Sequence, residues 1–174
     1  MTAASLVHLD VPALLAKLGV FPRRITADSR RVEPGVAFAA YPGLQFDGRI
    51  YIPDALARGA SAVLWDAQVF HWRPEWQAPN LGVDRLQQRL GGIADFIYGS
   101  PSRSLWMTAV TGTKGKTSCA HWIAAALESC GRRAAVLGTL GNGLVGALAP
   151  STHTTPDVAV LHEMLAQFRA AGAT

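Results

Sequence analysis

The chain has 174 residues, 49% of them hydrophobic, and a net charge of +4, which suits one domain, or a small domain with part of another, and excludes disorder. Its basic residues lie in scattered pairs rather than in a stripe with interleaved aromatics, so no nucleic-acid partner is expected. No apolar run reaches the roughly eighteen residues of a membrane span and residues 1–10 lack an export signal, so we expect a cytoplasmic protein without membrane insertion.

The first hundred residues alternate short apolar elements with turn residues. Their patterns predict, in chain order, a helix at 11–18, strands at 24–30 and 36–41, a helix at 50–58, a strand at 61–65 and a helix from the N-cap Asp84 to Ile97. The strand, helix and strand between residues 36 and 65 form a βαβ-like unit, which predicts parallel neighbours. The proline-rich stretch 71–79 is expected to be a loop whose Trp72 and Trp76 pack on the surface.

A domain boundary is predicted at the turn residues 99–102, which gives a first domain over residues 1–103 and a second over 104–174. In the second domain we expect a strand at 105–111, a helix at 117–130, a strand at 134–137 and a final helix capped by Thr155, with Pro156 in its first turn. The predicted class is α/β with parallel strands. Because the second sheet would have an uncovered edge, we expect a fragment of a longer protein.

Two cysteines, Cys119 and Cys130, are eleven positions apart in the predicted helix 117–130. They would lie about 16 Å from each other along its axis, too far for a disulfide. The alternatives are a reactive thiol near the glycine-rich segment that precedes the helix and two small buried hydrophobic side chains; we favour the buried pair.

The glycine-rich segment between the predicted strand 105–111 and the predicted helix carries the chemistry. Its residues are Gly112, Thr113, Lys114, Gly115, Lys116, Thr117 and Ser118. Glycines let the backbone turn tightly, and amides at a helix N-terminus point at negative charge, so the segment predicts a phosphate-binding loop. Lys116 would neutralise the β- and γ-phosphates, the Thr117 hydroxyl would ligate Mg²⁺, and Lys114 is either a second phosphate contact or a solvated charge.

The string T-G-T-K-G-K-T-S resembles the ATP-binding loop of the Mur ligase family, with Lys114 in place of the usual asparagine. The D-S-R motif that starts at Asp28, followed by P-G, F-A, D-G and G-A at matching spacings, resembles the N-terminal domain of the MurE and MurF branches. The L-G-T-L-G motif from Leu137 and the T-T-P-D motif from Thr154 resemble the MurE pattern. This resemblance implies a small N-terminal α/β uridine-nucleotide-binding domain, followed by the beginning of a parallel-sheet P-loop ATPase domain.

The resemblance also implies an ATP-dependent amide-bond ligase of peptidoglycan precursor synthesis. ATP would phosphorylate the γ-carboxylate of UDP-N-acetylmuramoyl-L-alanyl-D-glutamate, and the amine of meso-diaminopimelate or L-lysine would attack the acyl phosphate. ATP and Mg²⁺ are the implied cofactors, and the full-length protein is expected to be a monomer. Because further catalytic residues of the family are expected beyond Thr174, we predict no turnover by this chain alone.

Site residues follow from the resemblance by position. Lys116 is the expected catalytic residue. The uridine nucleotide would be contacted by Ala27, Ser29, Leu44, Gln45 and Phe46, and the peptide end of the substrate by His153, Thr154 and Thr155.

Several alternatives to these assignments stay open. Thr155 could be only a helix cap, and His153 an ordinary loop residue. Asp28 and Arg30 are expected to form a local ion pair rather than a catalytic one. His121 and His162 lie in predicted helices without a cluster of metal ligands, so neither is expected to bind metal. The competing functions are a MurF-type ligase and a non-catalytic ATP-binding module.

Overall fold

The computed structural model describes residues 10–43, 46–150 and 156–174. The chain forms two compact units, Met1–Ile97 and Tyr98–Thr174. The division between the units falls after Ile97, six residues before the domain boundary that the sequence predicts after residue 103. That domain boundary stays a prediction.

The first unit is a four-stranded parallel sheet with helices. Its elements are α1 (Val11–Ala16), β1 (Arg24–Thr26), β2 (Val36–Ala40), α2 (Ile52–Ala57), β3 (Ala62–Asp66), β4 (Asn80–Val83) and α3 (Leu86–Ile97), with 3-10 turns at Ser29–Arg31 and Gly48–Tyr51. The strands follow the order β1-β2-β3-β4, and each neighbouring pair is parallel. The predicted α/β class with parallel strands is therefore confirmed.

The core of this unit forms around β2, whose five residues are all buried. Such a continuous apolar run is typical of a parallel strand that is covered on both faces. Phe38 of β2 and Ile52 of α2 are fully buried in one cluster, against which Trp72 and Trp76 pack from the loop 71–79. The prediction that these tryptophans pack at the surface of the core is confirmed.

Two features of the first unit differ from the sequence predictions. Strand β4 was not predicted, because its four residues include Gly82 and do not alternate between apolar and polar side chains. The strand forms by parallel pairing with β3. Asp84 is not the group that receives the first amide of α3. Leu86 N–H donates instead to the buried Asp66 Oδ2 at 2.8 Å, while Asp84 Oδ1 accepts from the Gln68 side chain.

The second unit holds two helices and a small antiparallel sheet. Its elements are α4 (Lys116–Ser129), β5 (Ala135–Gly138), β6 (Gly141–Leu144), β7 (Ala147–Ala149) and α5 (Val158–Ala170). Strand β6 pairs antiparallel with both β5 and β7. The predicted strand at 105–111 is wrong for this structure: within the described part of the chain, no strand pairs with it.

Two smaller predictions in the second unit are also corrected. Helix α5 has Asp157 as its N-cap, whose carboxylate accepts from Ala159 N–H at 2.9 Å, and Pro156 precedes the helix. The predicted cap, Thr155, lies outside the described residues, and the cap that the structure describes is Asp157. Cys119 and Cys130 are free thiols, as predicted, but both are exposed rather than buried because α4 turns this face to solvent.

Candidate functional site

The glycine-rich segment forms a turn that leads directly into α4. Gly112 has φ 147° and Gly115 has φ 79°, a region that side chains disfavour. Gly115 is the N-cap of α4, and the helix begins at Lys116. The glycine spacing thus allows the chain to reverse sharply and enter the helix, as the sequence predicted.

The N-terminus of α4 and one lysine give this turn a positive electrostatic character. The first backbone bond of the helix runs from Cys119 N–H to the Gly115 carbonyl at 2.9 Å, so the amides of residues 116–118 lie ahead of the helical ladder. The helix dipole adds partial positive charge at the same end. Lys116 Nζ folds back over the turn and donates to the Gly112 carbonyl at 2.5 Å. This arrangement is suited to an anion such as a phosphate.

A depression of about 330 Å³ lies over the turn. It is lined by all the residues from Thr113 to Ser118 and by Thr139. Thr139 follows β5 and lines the same depression. Thr139 belongs to the L-G-T-L-G motif, but the motif alone predicts no contact for it, because its position beside the turn depends on how β5 packs against α4.

The structure permits a limited test of the predicted Mg²⁺ site. No group of three or more His, Cys, Asp and Glu side chains that could hold a metal occurs among the described residues. Thr117 is half-buried beside the turn and could supply one hydroxyl oxygen. Magnesium often takes few protein ligands together with phosphate oxygens and waters, so a single hydroxyl beside bound phosphates is compatible with this ion.

The predicted nucleotide contacts of the first unit lie at the carboxyl ends of parallel strands. Ala27 and Ser29 follow β1, and Phe46 follows β2. Since β1 and β2 are parallel neighbours, these segments leave the sheet at the same edge, where open α/β sheets bind ligands. Ala27 is half-buried, Ser29 is buried and Phe46 is exposed. Leu44, Gln45, His153, Thr154 and Thr155 lie outside the described residues.

The predicted Asp28–Arg30 ion pair is present. Arg30 Nε donates to Asp28 Oδ1 at 2.9 Å, and Arg30 Nη2 donates to Asp28 Oδ2 at 2.8 Å. The hydrogen bond from Arg30 lowers the pKa of the Asp28 carboxyl. This local pair shapes the 3-10 turn after β1, which is the structural role that the sequence indicated.

A second pair with the same D-x-R spacing, Asp47 and Arg49, follows β2 and was not predicted to have a role. Arg49 donates to both carboxylate oxygens of Asp47, at 2.9 Å from Nε and 2.8 Å from Nη2. The hydrogen bond from Arg49 lowers the pKa of the Asp47 carboxyl. The repeated spacing was the available signal; the further contacts of Arg49, described below, come from distant residues.

No helix within the described ranges is both long enough and apolar enough to cross a lipid bilayer.

Fold and turn together define an α/β protein with a glycine-rich turn at a helix N-terminus that is suited to a phosphate group. Residues 23–98 match the Mur ligase family, catalytic domain, and residues 110–174 match the Mur ligase middle domain. The two matches follow each other in the order that the sequence motifs predicted. The chain belongs to the Mur ligase family.

Curated relatives give a more specific similarity. The chain is 52% identical over 163 residues to a protein of Chromobacterium violaceum and 48% identical over 161 residues to one of Nitrosomonas europaea. Both are named UDP-N-acetylmuramoyl-L-alanyl-D-glutamate--2,6-diaminopimelate ligase. These alignments cover 93% and 92% of the chain but only 33% and 31% of the relatives. The chain therefore spans about a third of their length.

A solved structure agrees with this similarity. A ligase of the same name superposes with a TM-score of 0.70 and 33% sequence identity, over 88% of this chain and 30% of that structure. The family models thus confirm the predicted resemblance to Mur ligases, and the relatives and the solved structure confirm the resemblance to the MurE type.

Proposed function

We propose that this chain is part of an ATP-dependent ligase of peptidoglycan precursor synthesis. The whole protein would join 2,6-diaminopimelate to UDP-N-acetylmuramoyl-L-alanyl-D-glutamate through an amide bond. The names of both relatives support diaminopimelate, which the sequence analysis left open against L-lysine. The reaction would take place in the cytoplasm, and a monomer remains our expectation for the full-length protein.

The observation that carries this proposal is the turn at the start of α4. Gly112 and Gly115 have positive φ angles that let the backbone turn sharply into α4, and Lys116 folds over the turn, which supports phosphate binding there. A carboxylate and a triphosphate repel each other, so a ligase needs positive groups that hold them together. Lys116 and the amides of residues 116–118 would orient the terminal phosphates, and Thr117 would contact Mg²⁺, which would shield their charge when bound.

The proposed reaction has two steps. An oxygen of the glutamate γ-carboxylate attacks the γ-phosphorus of ATP, and ADP leaves, which gives an acyl phosphate. The amine of diaminopimelate then attacks the acyl carbon, loses a proton and displaces inorganic phosphate. This chain would contribute binding and orientation of both nucleotides to these steps.

The first unit would bind the uridine nucleotide. Ala27, Ser29 and Phe46 lie at the carboxyl edge of the sheet, which supports their proposed role. Leu44 and Gln45 extend the same proposal to residues outside the described part. Contacts of His153, Thr154 and Thr155 with the peptide end of the substrate stay predictions for the same reason.

Calorimetry with two separate ligands tests the proposal. We expect the chain to bind Mg²⁺-ATP and, independently, UDP-N-acetylmuramoyl-L-alanyl-D-glutamate. Binding of ATP without the uridine precursor would favour a non-catalytic ATP module instead. Preference for the tripeptide precursor over the dipeptide precursor would favour a MurF-type ligase.

Lys116→Ala sharpens the test, with Lys114→Ala as a matched control in the same loop. Loss of a charge-assisted contact of about 1.5–3 kcal/mol predicts ATP affinity at least about tenfold lower for Lys116→Ala. Lys114→Ala should have a smaller effect, and neither variant should change affinity for the uridine precursor. Unchanged ATP affinity in Lys116→Ala would overturn the assignment of the phosphate loop.

A further inference from the structure

Residues 41–43 and 46–48, which follow β2, approach each other closely, and we call these described residues the β2 turn. Gly43 N–H donates to the Phe46 carbonyl at 2.8 Å, and Gly48 N–H donates to the Tyr41 carbonyl at 2.9 Å. A Cβ at Gly48 would lie 2.8 Å from the Tyr41 oxygen, so the two sides of the turn approach closely. The turn presents Phe46 with 68% of its surface exposed.

Arg49 connects this turn to a different part of the sheet. Its Nε and Nη2 bind the Asp47 carboxylate, and its Nη1 donates to the carbonyls of Asp66 at 3.3 Å and Gln68 at 2.7 Å. The guanidinium also lies 4.9 Å from the centre of the Phe70 ring. The β2 turn is therefore fastened to the carboxyl end of β3 through one side chain.

The burial of Arg49 shows that this is more than a surface ion pair. Only 11% of the Arg49 side chain is exposed, whereas the Arg30 side chain, which has the same D-x-R spacing, is 82% exposed. Burying a guanidinium is costly unless its donors are satisfied, and a planar group with five donors can satisfy them on several partners at once. The local pairing with Asp47 alone does not require Arg49 to reach residues 66–70.

We propose that Arg49 is a positioning residue for uridine-nucleotide recognition. By anchoring the β2 turn to the end of β3, it holds Phe46 at the sheet edge before the nucleotide arrives. A turn that is already ordered loses less conformational entropy on binding, so the anchor increases affinity without touching the ligand. This inference rests on the proposed function, which assigns Phe46 to the uridine nucleotide.

The experiment measures the dissociation constant of UDP by calorimetry for the chain and for Arg49→Lys. Lysine keeps the charge but cannot bind Asp47 through two nitrogens while reaching the two carbonyls. We expect UDP affinity about tenfold lower for Arg49→Lys. Arg58→Lys is the matched control, because Arg58, the C-cap of α2, pairs with Asp54 of the same helix at 3.2 Å and is partly exposed. This control should bind UDP as the parent chain does.

A double-mutant cycle with Phe46→Ala distinguishes positioning from a purely structural role. If Arg49 acts through the turn, the combined variant should lose less affinity than the product of the two single losses. Circular dichroism at the temperature of the titration verifies that each variant is folded. Should Arg49→Lys fail to fold, Asp47→Asn replaces it with the same expected loss and the same cycle.

Each other result has one meaning. Four results would overturn the positioning role while the proposed function stands. The first two are a lower thermal stability of Arg49→Lys with unchanged UDP affinity, and an equal loss of UDP affinity in Arg58→Lys. The other two are losses of affinity that multiply fully in the combined variant, and a Phe46→Ala variant with unchanged UDP affinity. Absence of UDP binding by the unaltered chain would instead remove the nucleotide assignment of the first unit, and the positioning role with it.

Discussion

The two units of this chain bury apolar side chains very differently. In the first unit, all of β2 is buried and Phe38 has no exposed surface. In the second, Trp106 and Trp122 are 74% and 72% exposed. An apolar concavity of about 730 Å³ lies there among residues 105–111, α4, β5 and α5. The buried cluster under α4 consists of the small side chains Ala124, Ala134 and Val136.

Because of this difference, the two proposed sites depend on different features of the chain. The proposed uridine-nucleotide site of the first unit lies at the edge of a packed sheet. Its geometry therefore depends on core residues and on buried polar side chains such as Asp66 and Arg49. The phosphate loop of the second unit depends on glycine backbone angles and on the N-terminus of α4, which are local features. Changes to buried side chains should therefore affect the first site most.

The largest effect is expected from Phe38→Ala. Removing a fully buried aromatic ring leaves a cavity and costs about 3–5 kcal/mol of unfolding free energy. The measurement is the free energy of unfolding in urea, and hydrogen exchange of the backbone amides reports the unfolding of the strands of the first unit. Trp122→Ala, with its ring largely in solvent, is the control and should change stability by less than about 0.5 kcal/mol. Equal losses for the two variants would contradict the contrast between the units.

An intermediate effect is expected from Asp66→Ala, which removes the acceptor of Leu86 N–H at the start of α3. Loss of a capping acceptor costs about 0.5–2 kcal/mol. Thermal unfolding of Asp66→Ala and Asp84→Ala compares the observed acceptor with the one that the sequence predicted. A greater loss for Asp84→Ala would restore the sequence prediction.

The smallest effect is expected from acid. Hydrogen bonds from Arg30 and Arg49 lower the pKa of Asp28 and Asp47 below the ordinary value of 3.8. A lowered folded pKa means stabilisation that is complete above 3.8 and is lost as the pH falls through the folded value. Asp47→Asn should therefore flatten the dependence of unfolding free energy on pH below 3.8, and a dependence as steep as that of the parent chain would argue against this pairing.

Several features that depend on neighbouring residues were predicted correctly, although the strand at 105–111 was not. The apolar run at β2, the βαβ order and the spacing from Gly112 to Thr117 each produced the expected element or turn. Helix α4 begins at Lys116, within one residue of the prediction. Features that depend on distant partners were missed. Strand β4 forms only by pairing with β3, and Thr139 lies beside the glycine-rich turn because β5 packs against α4.

The sequence by itself determined the α/β class with parallel strands, the glycine-rich turn before α4 and the family, because periodicity, glycine spacing and motif order are local properties of short stretches of chain. Tertiary structure decided which acidic group receives the first amide of α3 and which arginine fastens the β2 turn. Asp66 is twenty residues from Leu86, and Arg49 is nineteen from Gln68. Only folding brings such residues within hydrogen-bonding distance, and burial then makes their contacts strong.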